Sequence, residues 1–213
     1  MEMIKVLLAD DHAAVAEGIA ALLKDLFQIV GIVHDGRALL TAAAELEPDV
    51  IVTDITMPLL NGVHAIRQII SAKPRSKIIV LTMHADPDLA VQAFRAGASG
   101  YLLKTSSGEE IIAAIRDVMQ GRAYLSSLLT KDLISVLIEA RSKTEPAGSS
   151  LTPRQLEVLQ LIAEGQTMKE IANTLNISPR TAESHKYDMM QQLGVQTTAE
   201  LIQHAIRLKL VAV

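Results

Sequence analysis

The sequence predicts an open, parallel α/β sheet followed by an all-α domain of four helices, and three observations carry that prediction. Between residues 4 and 120, five short runs of mostly β-branched apolar residues alternate with segments whose apolar residues recur at helical spacing. At Gly121 the alternation stops. From Leu151 onward every apolar periodicity is helical, with Thr152-Pro153 and Ser178-Pro179 as starts and Leu193-Gly194 as a stop. The expected division is therefore a first domain over residues 1–120, a connecting segment over 121–149 and a second domain over 150–213.

The elements follow in order. Strands are expected at 4–9, 29–33, 50–53, 78–82 and 101–103, and helices at 15–26, 37–46, 63–71, 89–96 and 109–120. The third strand is the clearest. Val50-Ile51-Val52-Thr53 is continuously apolar in character up to Asp54 and is bounded by Pro48 and Pro58, as a strand buried on both faces should be. Right-handed crossovers between such units lead to the flavodoxin-like order 2-1-3-4-5, with its switch point between strands one and three. Asp10-Asp11 closes strand one and Asp54 closes strand three, so three acids converge on the crevice where open α/β sheets bind ligands. Beyond Gly121, Leu125, Leu128, Leu129, Leu133, Val136 and Leu137 lie at helical spacing and predict an amphipathic helix over 126–140, outside the alternation. Residues 141–150, rich in charge, Ser, Pro and Gly, read as a flexible linker. Four helices are then expected at 152–164, 168–175, 178–193 and 197–210.

Composition narrows the function classes. With 213 residues, of which 49% are hydrophobic, the chain can bury at least one full core. It has no cysteine, which removes disulfide frameworks and thiol nucleophiles and suits a reducing cytoplasm. The first residues lack a signal-peptide pattern, and no apolar run approaches membrane-spanning length. Charge is uneven: residues 1–120 carry ten basic and fifteen acidic side chains, whereas 150–213 carry six of each. Neither domain is basic enough to announce nucleic-acid binding by charge, so that function has to rest on a motif.

The acidic crevice has a chemistry of its own. Three clustered carboxylates repel one another and call for a cation, and hard oxygen ligands at a strand edge suit Mg²⁺. One of the acids can serve as a nucleophile toward phosphorus. The phosphoryl group in flight gathers charge that an ammonium and a hydroxyl can meet. Lys104 ends strand five and Thr82 ends strand four, on the same edge of the sheet.

Taken together, Asp10-Asp11, Asp54-Ile55-Thr56-Met57-Pro58-Leu59-Leu60-Asn61-Gly62, Thr82 and Gly100-Tyr101-Leu102-Leu103-Lys104 make residues 4–120 resemble a response-regulator receiver domain. The resemblance implies that Asp54 is the phosphoacceptor. It also implies Mg²⁺ ligands at Asp11 directly, Asp10 through water, Asp54, and the backbone carbonyl of Thr56. Thr82 and Lys104 would bind phosphoryl oxygens, and Tyr101 would be the aromatic switch that turns inward as Thr82 moves. Thr56 and His84 flank the site, where they are expected to tune loss of the phosphoryl group. His12 is expected as a helix-entry residue. Ala16 departs from the arginine that many relatives carry there.

Residues 151–210 resemble a LuxR-type helix-turn-helix through Leu151-Thr152-Pro153-Arg154, Lys169-Glu170-Ile171-Ala172, Ile177-Ser178-Pro179-Arg180-Thr181, Glu183-Ser184-His185 and Leu193-Gly194-Val195. The second helix of that motif enters the major groove. The resemblance implies base-edge contacts from Glu183, Ser184 and Tyr187, and phosphate contacts from Lys169, Arg180, Thr181 and Lys186. Gln191 and Gln192 depart from the basic residues often found at these places, and Asp188 puts negative charge on the groove-facing side, which predicts weaker phosphate binding. Together the two resemblances describe a two-component response regulator of the NarL/FixJ type. It would be non-enzymatic and cytoplasmic, phosphorylated by a sensor histidine kinase, bound to promoter DNA, and homodimeric when phosphorylated. Contact with RNA polymerase is a further partner the resemblance allows. The last helix (Leu201, Ile202, Ala205, Leu208, Leu210) and the linker helix are the candidate dimer surfaces. Two other readings stand beside this one. The first is a phospho-regulated protein-interaction module with weak or no DNA binding. The second is an aspartyl-phosphate phosphatase, which Thr56 disfavours because such enzymes carry a second acid two residues after the nucleophile.

Overall fold

The computed structural model describes residues 3–72, 75–130 and 151–211, which divide into two compact units. The first holds every strand. Its sheet is built from β1 (Lys5–Ala9), β2 (Gln28–Val33), β3 (Val50–Thr53), β4 (Lys77–Thr82), β5 (Gly100–Leu103) and β6 (Tyr124–Leu125). All pairings are parallel, in the order β2-β1-β3-β4-β5-β6. The first five strands thus take the expected 2-1-3-4-5 arrangement, and the alternation predicted from the sequence holds with boundaries shifted by a few residues at most.

The sheet is buried on both faces because five helices cover it: α1 (Ala13–Leu23), α2 (Gly36–Leu46), α3 (Gly62–Ser71), α4 (Pro87–Ala96) and α5 (Gly108–Met119). Alternation along each strand sends every second side chain to the same side. Val6, Leu8, Val50, Val52, Ile79, Leu81 and Leu102 pack with Leu23 at the end of α1, with Phe27 just before β2, and with Ile111, Ile115 and Val118 of α5. Local chemistry sets the helix starts. The Asp35 and Asp86 carboxylates accept the first backbone N–H groups of α2 and α4, and Pro87 opens α4 with the fixed φ that a first helical turn needs.

The sixth strand was not anticipated. Two residues are too few to show a period, so the sequence reading ended the α/β pattern at residue 120. The Tyr124 N–H donates to the Ser99 carbonyl and the Ser126 N–H to the Tyr101 carbonyl, each at 3.0 Å, which closes the free edge of β5. Residues 127–130 are helical, with Leu129 buried and Leu128 exposed. The rest of the expected linker helix, including Leu133, Val136 and Leu137, and the linker 141–150 lie outside the described residues.

The second unit is helical: α6 (Pro153–Ala163), α7 (Met168–Leu175), α8 (Pro179–Leu193) and α9 (Thr198–Arg207). Three of these starts carry reciprocal capping boxes, Thr152 with Gln155, Thr167 with Glu170 and Thr197 with Glu200. Each satisfies two backbone donors that would otherwise be unpaired, and a cap of this kind is worth about 1 kcal/mol. Val158, Leu159, Leu161, Ile162, Ile171, Leu175, Ala182, Met189, Leu201 and Ala205 form the core. Arg154 holds α6 to the turn after α7, since its guanidinium donates to the Leu175 carbonyl and also pairs with Glu157 at 2.8 Å. Among the described residues no helix is long and apolar enough to cross a membrane.

Candidate functional site

Strand register brings the acids together. Ala9 lies opposite Thr53 and Thr82 opposite Leu103, so Asp10, Asp54, Thr82 and Lys104 all emerge at the carboxyl edge of the sheet. Asp10 and Asp54 are buried, and so is the Lys104 side chain. Lys104 Nζ lies 2.7 Å from Asp10 Oδ2 and 2.7 Å from Asp54 Oδ2, one ammonium bridging two carboxylates. Burial pulls the Lys104 pKa down, but the hydrogen bonds to Asp10 and Asp54 and their negative charge outweigh it, and the net shift is upward.

The remaining carboxylate oxygens are held by the backbone. Asp54 Oδ1 accepts the Ile55 N–H at 2.6 Å and the Thr56 N–H at 3.4 Å, while Asp10 Oδ1 accepts the His12 N–H at 2.9 Å. Gly62 supports this loop from behind. Its N–H donates to the Ile55 carbonyl at 2.7 Å, and a Cβ there would stand 2.1 Å from the Asp54 carbonyl oxygen. The glycine of the Asp54–Gly62 motif is thus a steric requirement of the backbone that carries the acid.

Asp11 is the most open of the three acids, and its Oδ1 lies 2.8 Å from His12 Nδ1. Asp10, Asp11 and His12 can bring one ligand atom each to within 4.8 Å of one another. His12 precedes α1 as its N-cap residue, as expected, but its ring also joins the acids. The site holds three carboxylates, of which one buried ammonium meets two, and the donors are mostly hard oxygens, so the residues fit a hard divalent cation such as Mg²⁺.

On the other side of Asp54, three groups meet at His84. Its N–H lies 3.4 Å from Thr82 Oγ1, its carbonyl accepts the Tyr101 hydroxyl at 2.9 Å, and its Nε2 lies 3.1 Å from Thr56 Oγ1. The backbone part of this hub was not legible in the sequence, because it depends on a loop folding back over Tyr101. Tyr101 is fully buried, so the inward position expected of a switch after activation is already occupied here. Burial, then the negative charge of Asp54, raises the pKa of its hydroxyl and keeps it a donor.

In the helical unit, α7, the Asn176-Ile177-Ser178 turn and α8 form the helix-turn-helix. Asn176 adopts the left-handed conformation (φ 52°) that ends α7, and the Ser178 hydroxyl caps α8 by accepting the Thr181 N–H. Lys169, Arg180, Thr181, Glu183, Ser184 and Tyr187 are exposed, and Lys186 is half-buried. Ala182 and Met189 point into the core, as expected. The Thr181 hydroxyl is 2.8 Å from that of Ser178, so it is already engaged at the cap. The expected dimer stripe on the last helix needs correction. Leu201, Ala205 and Leu210 are buried in their own domain, and among the described residues of this region only Ile206 and Leu208 present substantial apolar surface.

Comparison with known proteins agrees with both halves. Residues 6–116 match the response regulator receiver domain and residues 149–205 the luxR family of bacterial regulatory proteins. The chain is 36% identical to the response regulator UvrY of Escherichia coli K12 over 207 residues, covering 96% of this chain and 94% of that one. It is 35% identical to the oxygen regulatory protein NreC of Staphylococcus carnosus over 214 residues, covering 97% and 98% respectively. Among solved structures, a complex of the two-component response regulator RcsB with DNA superposes with a TM-score of 0.61 at 30% identity, covering 99% of this chain and all of that one.

Proposed function

Because the chain belongs to the two-component response regulators of the NarL/FixJ type, with a receiver domain and a LuxR-type helix-turn-helix domain, we propose that Asp54 is its phosphoacceptor and that phosphorylation controls sequence-specific DNA binding by α8. The observation that carries the reading is the buried Asp10–Lys104–Asp54 bridge at the carboxyl edge of the sheet. A carboxylate oxygen of Asp54 forms the new bond to phosphorus as the P–N bond of a kinase phosphohistidine breaks, and the imidazole leaves. Lys104 and the Thr82 hydroxyl stand at the same edge to receive phosphoryl oxygens. Asp10, Asp11, Asp54 and the Thr56 carbonyl would hold Mg²⁺, which supplies positive charge for the phosphoryl oxygens.

The modification turns a carboxylate of charge −1 into an acyl phosphate of roughly −1.5 to −2, so it adds up to about one negative charge and three strong acceptor oxygens at Asp54. Recruiting Thr82 toward it disturbs the His84 hub and with it Tyr101, and this biases an equilibrium already present in the chain. Partners on this reading are a sensor histidine kinase, promoter DNA and a second copy of the chain, with RNA polymerase at the promoter; the location is the cytoplasm. The division into a receiver over 1–120, a connecting segment over 121–149 and a DNA-binding domain over 150–213 belongs to the same proposal.

The test is capture of random genomic DNA fragments with and without beryllofluoride and Mg²⁺, paired with phosphoryl incorporation from a labelled donor. Wild-type protein is expected to incorporate one phosphoryl group per chain and to enrich DNA with the mimic. Asp54→Asn is expected to lose both. Incorporation that survives Asp54→Asn would overturn the site assignment, and no enrichment even at low salt would favour the protein-interaction reading.

The Thr56–His84 hydrogen bond lies next to Asp54, where an attacking water has to approach. Thr56→Ala and His84→Ala are each expected to change the decay rate of phosphorylated protein severalfold, followed by loss of label. Unchanged decay in both variants would exclude a role for the pair.

A further inference from the structure

Two charges on α8, those of Glu183 and Asp188, do not fit phosphate binding. The exposed residues Arg180, Glu183, Ser184, Tyr187 and Gln191 fall at helical spacing on one stripe, opposite the core residues Ala182 and Met189. Glu183 lies in the second turn of the helix, within the part of a recognition helix that reaches base edges. Among the described residues, Glu183 makes no hydrogen bond or ion pair, although Arg180 precedes it by three residues and Lys186 follows by three. Its carboxylate is therefore free to meet what lies on the groove floor.

A carboxylate only accepts hydrogen bonds. In the major groove, guanine offers O6 and N7 and thymine offers O4, all acceptors that repel it. Two donors remain, the exocyclic amino groups of cytosine and adenine. On adenine the amino group sits beside the N7 acceptor, which suits an amide that both donates and accepts and disfavours a group that can only accept. Cytosine presents its N4 amino group without an adjacent acceptor on the same base. We infer that Glu183 is a specificity-determining residue that reads a cytosine through its N4 amino group, once in each half-site.

The inference rests on the DNA-binding reading of α8 and extends it to a base. Selection from random duplexes by the full-length protein with beryllofluoride and Mg²⁺ tests it, with Glu183→Gln and Glu183→Ala run in parallel. Glu183 is exposed and unpartnered, so both variants are expected to keep the wild-type circular-dichroism melt. Wild-type protein is expected to require cytosine at one position per half-site, with binding roughly 10- to 100-fold weaker when that base pair is changed. Glu183→Gln is expected to switch that single position to adenine and leave the others as they were, and Glu183→Ala to lose the preference there. Identical preferences at every position in all three proteins would overturn the inference while leaving DNA binding intact. Glu183→Ala that binds all sequences more tightly, with no change of preference, would also overturn it, since the acid would then be only a repulsive charge. No enriched sequence with any of the proteins would overturn both the inference and the reading beneath it.

Discussion

Replacing Gly62 with alanine is expected to cost the receiver about 3 kcal/mol, at the upper end of what overpacking costs, and to impair phosphorylation with it. The added Cβ would stand 2.1 Å from the Asp54 carbonyl oxygen and 2.9 Å from Ile55 Cα. Both are backbone atoms, so no side-chain rotation relieves the clash. Either α3, which starts at Gly62, or the peptide after Asp54 has to move. That peptide also orients the Ile55 and Thr56 N–H groups toward Asp54 Oδ1, so the carboxylate moves with it. Gly18 is the control. It lies inside α1, and a Cβ there would meet nothing within 4 Å, so Gly18→Ala is expected to be stabilising by roughly 0.5–1 kcal/mol through helix propensity alone. Urea denaturation followed by far-ultraviolet circular dichroism separates the two, and labelled phosphodonor tests the site. A Gly62→Ala protein that unfolds and phosphorylates like wild type would show that the loop relaxes freely.

The contrast between these glycines marks what the sequence could reveal. The strands were legible because runs such as Val50–Thr53 have to be apolar on both sides, and their order follows from crossover handedness once the units alternate. Asp10, Asp54, Thr82 and Lys104 were legible as a group because residues that end neighbouring parallel strands share one edge. What lay beyond reach was set by contacts between segments with no common period. The β6 pairing is two residues long, and the His84 hub is made largely by a backbone N–H and a carbonyl, groups every residue possesses. The apolar stripe on the last helix shows the opposite failure. Its periodicity was correct, yet a stripe does not say whether it faces its own core or a partner, and Leu201 and Ala205 face the core. Tyr101 was likewise expected to be a switch on family grounds, but its buried position in this structure was not legible, because rotamer is a property of the surrounding pocket.

Lys104→Met is expected to destabilise the receiver by about 3–5 kcal/mol at neutral pH, the usual cost of leaving buried charge without its partner. The side chains of Lys104, Asp10 and Asp54 are each at most 7% exposed, so water cannot take over the role of the ammonium. Methionine keeps most of the volume and removes the charge, which isolates electrostatics from packing. Two rescues distinguish this account from a general loss of fit. Adding Asp54→Asn removes one of the stranded charges and is expected to recover part of the loss, and Mg²⁺ is expected to recover part by restoring positive charge beside the acids. The pH dependence carries a further signature. The Lys104 pKa in the fold lies above its ordinary value of 10.5, so its stabilisation is fully present below that pH and is lost as pH rises through the folded value. Tyr101, raised from 10.0 by burial and by Asp54, acts in the same direction over the same alkaline window. Wild-type protein should therefore lose stability above about pH 10 along a steeper slope than Lys104→Met, monitored through near-ultraviolet circular dichroism of the buried Tyr101. Equal slopes, or a Lys104→Met deficit that neither Asp54→Asn nor Mg²⁺ relieves, would mean that the bridge matters for packing and not for charge.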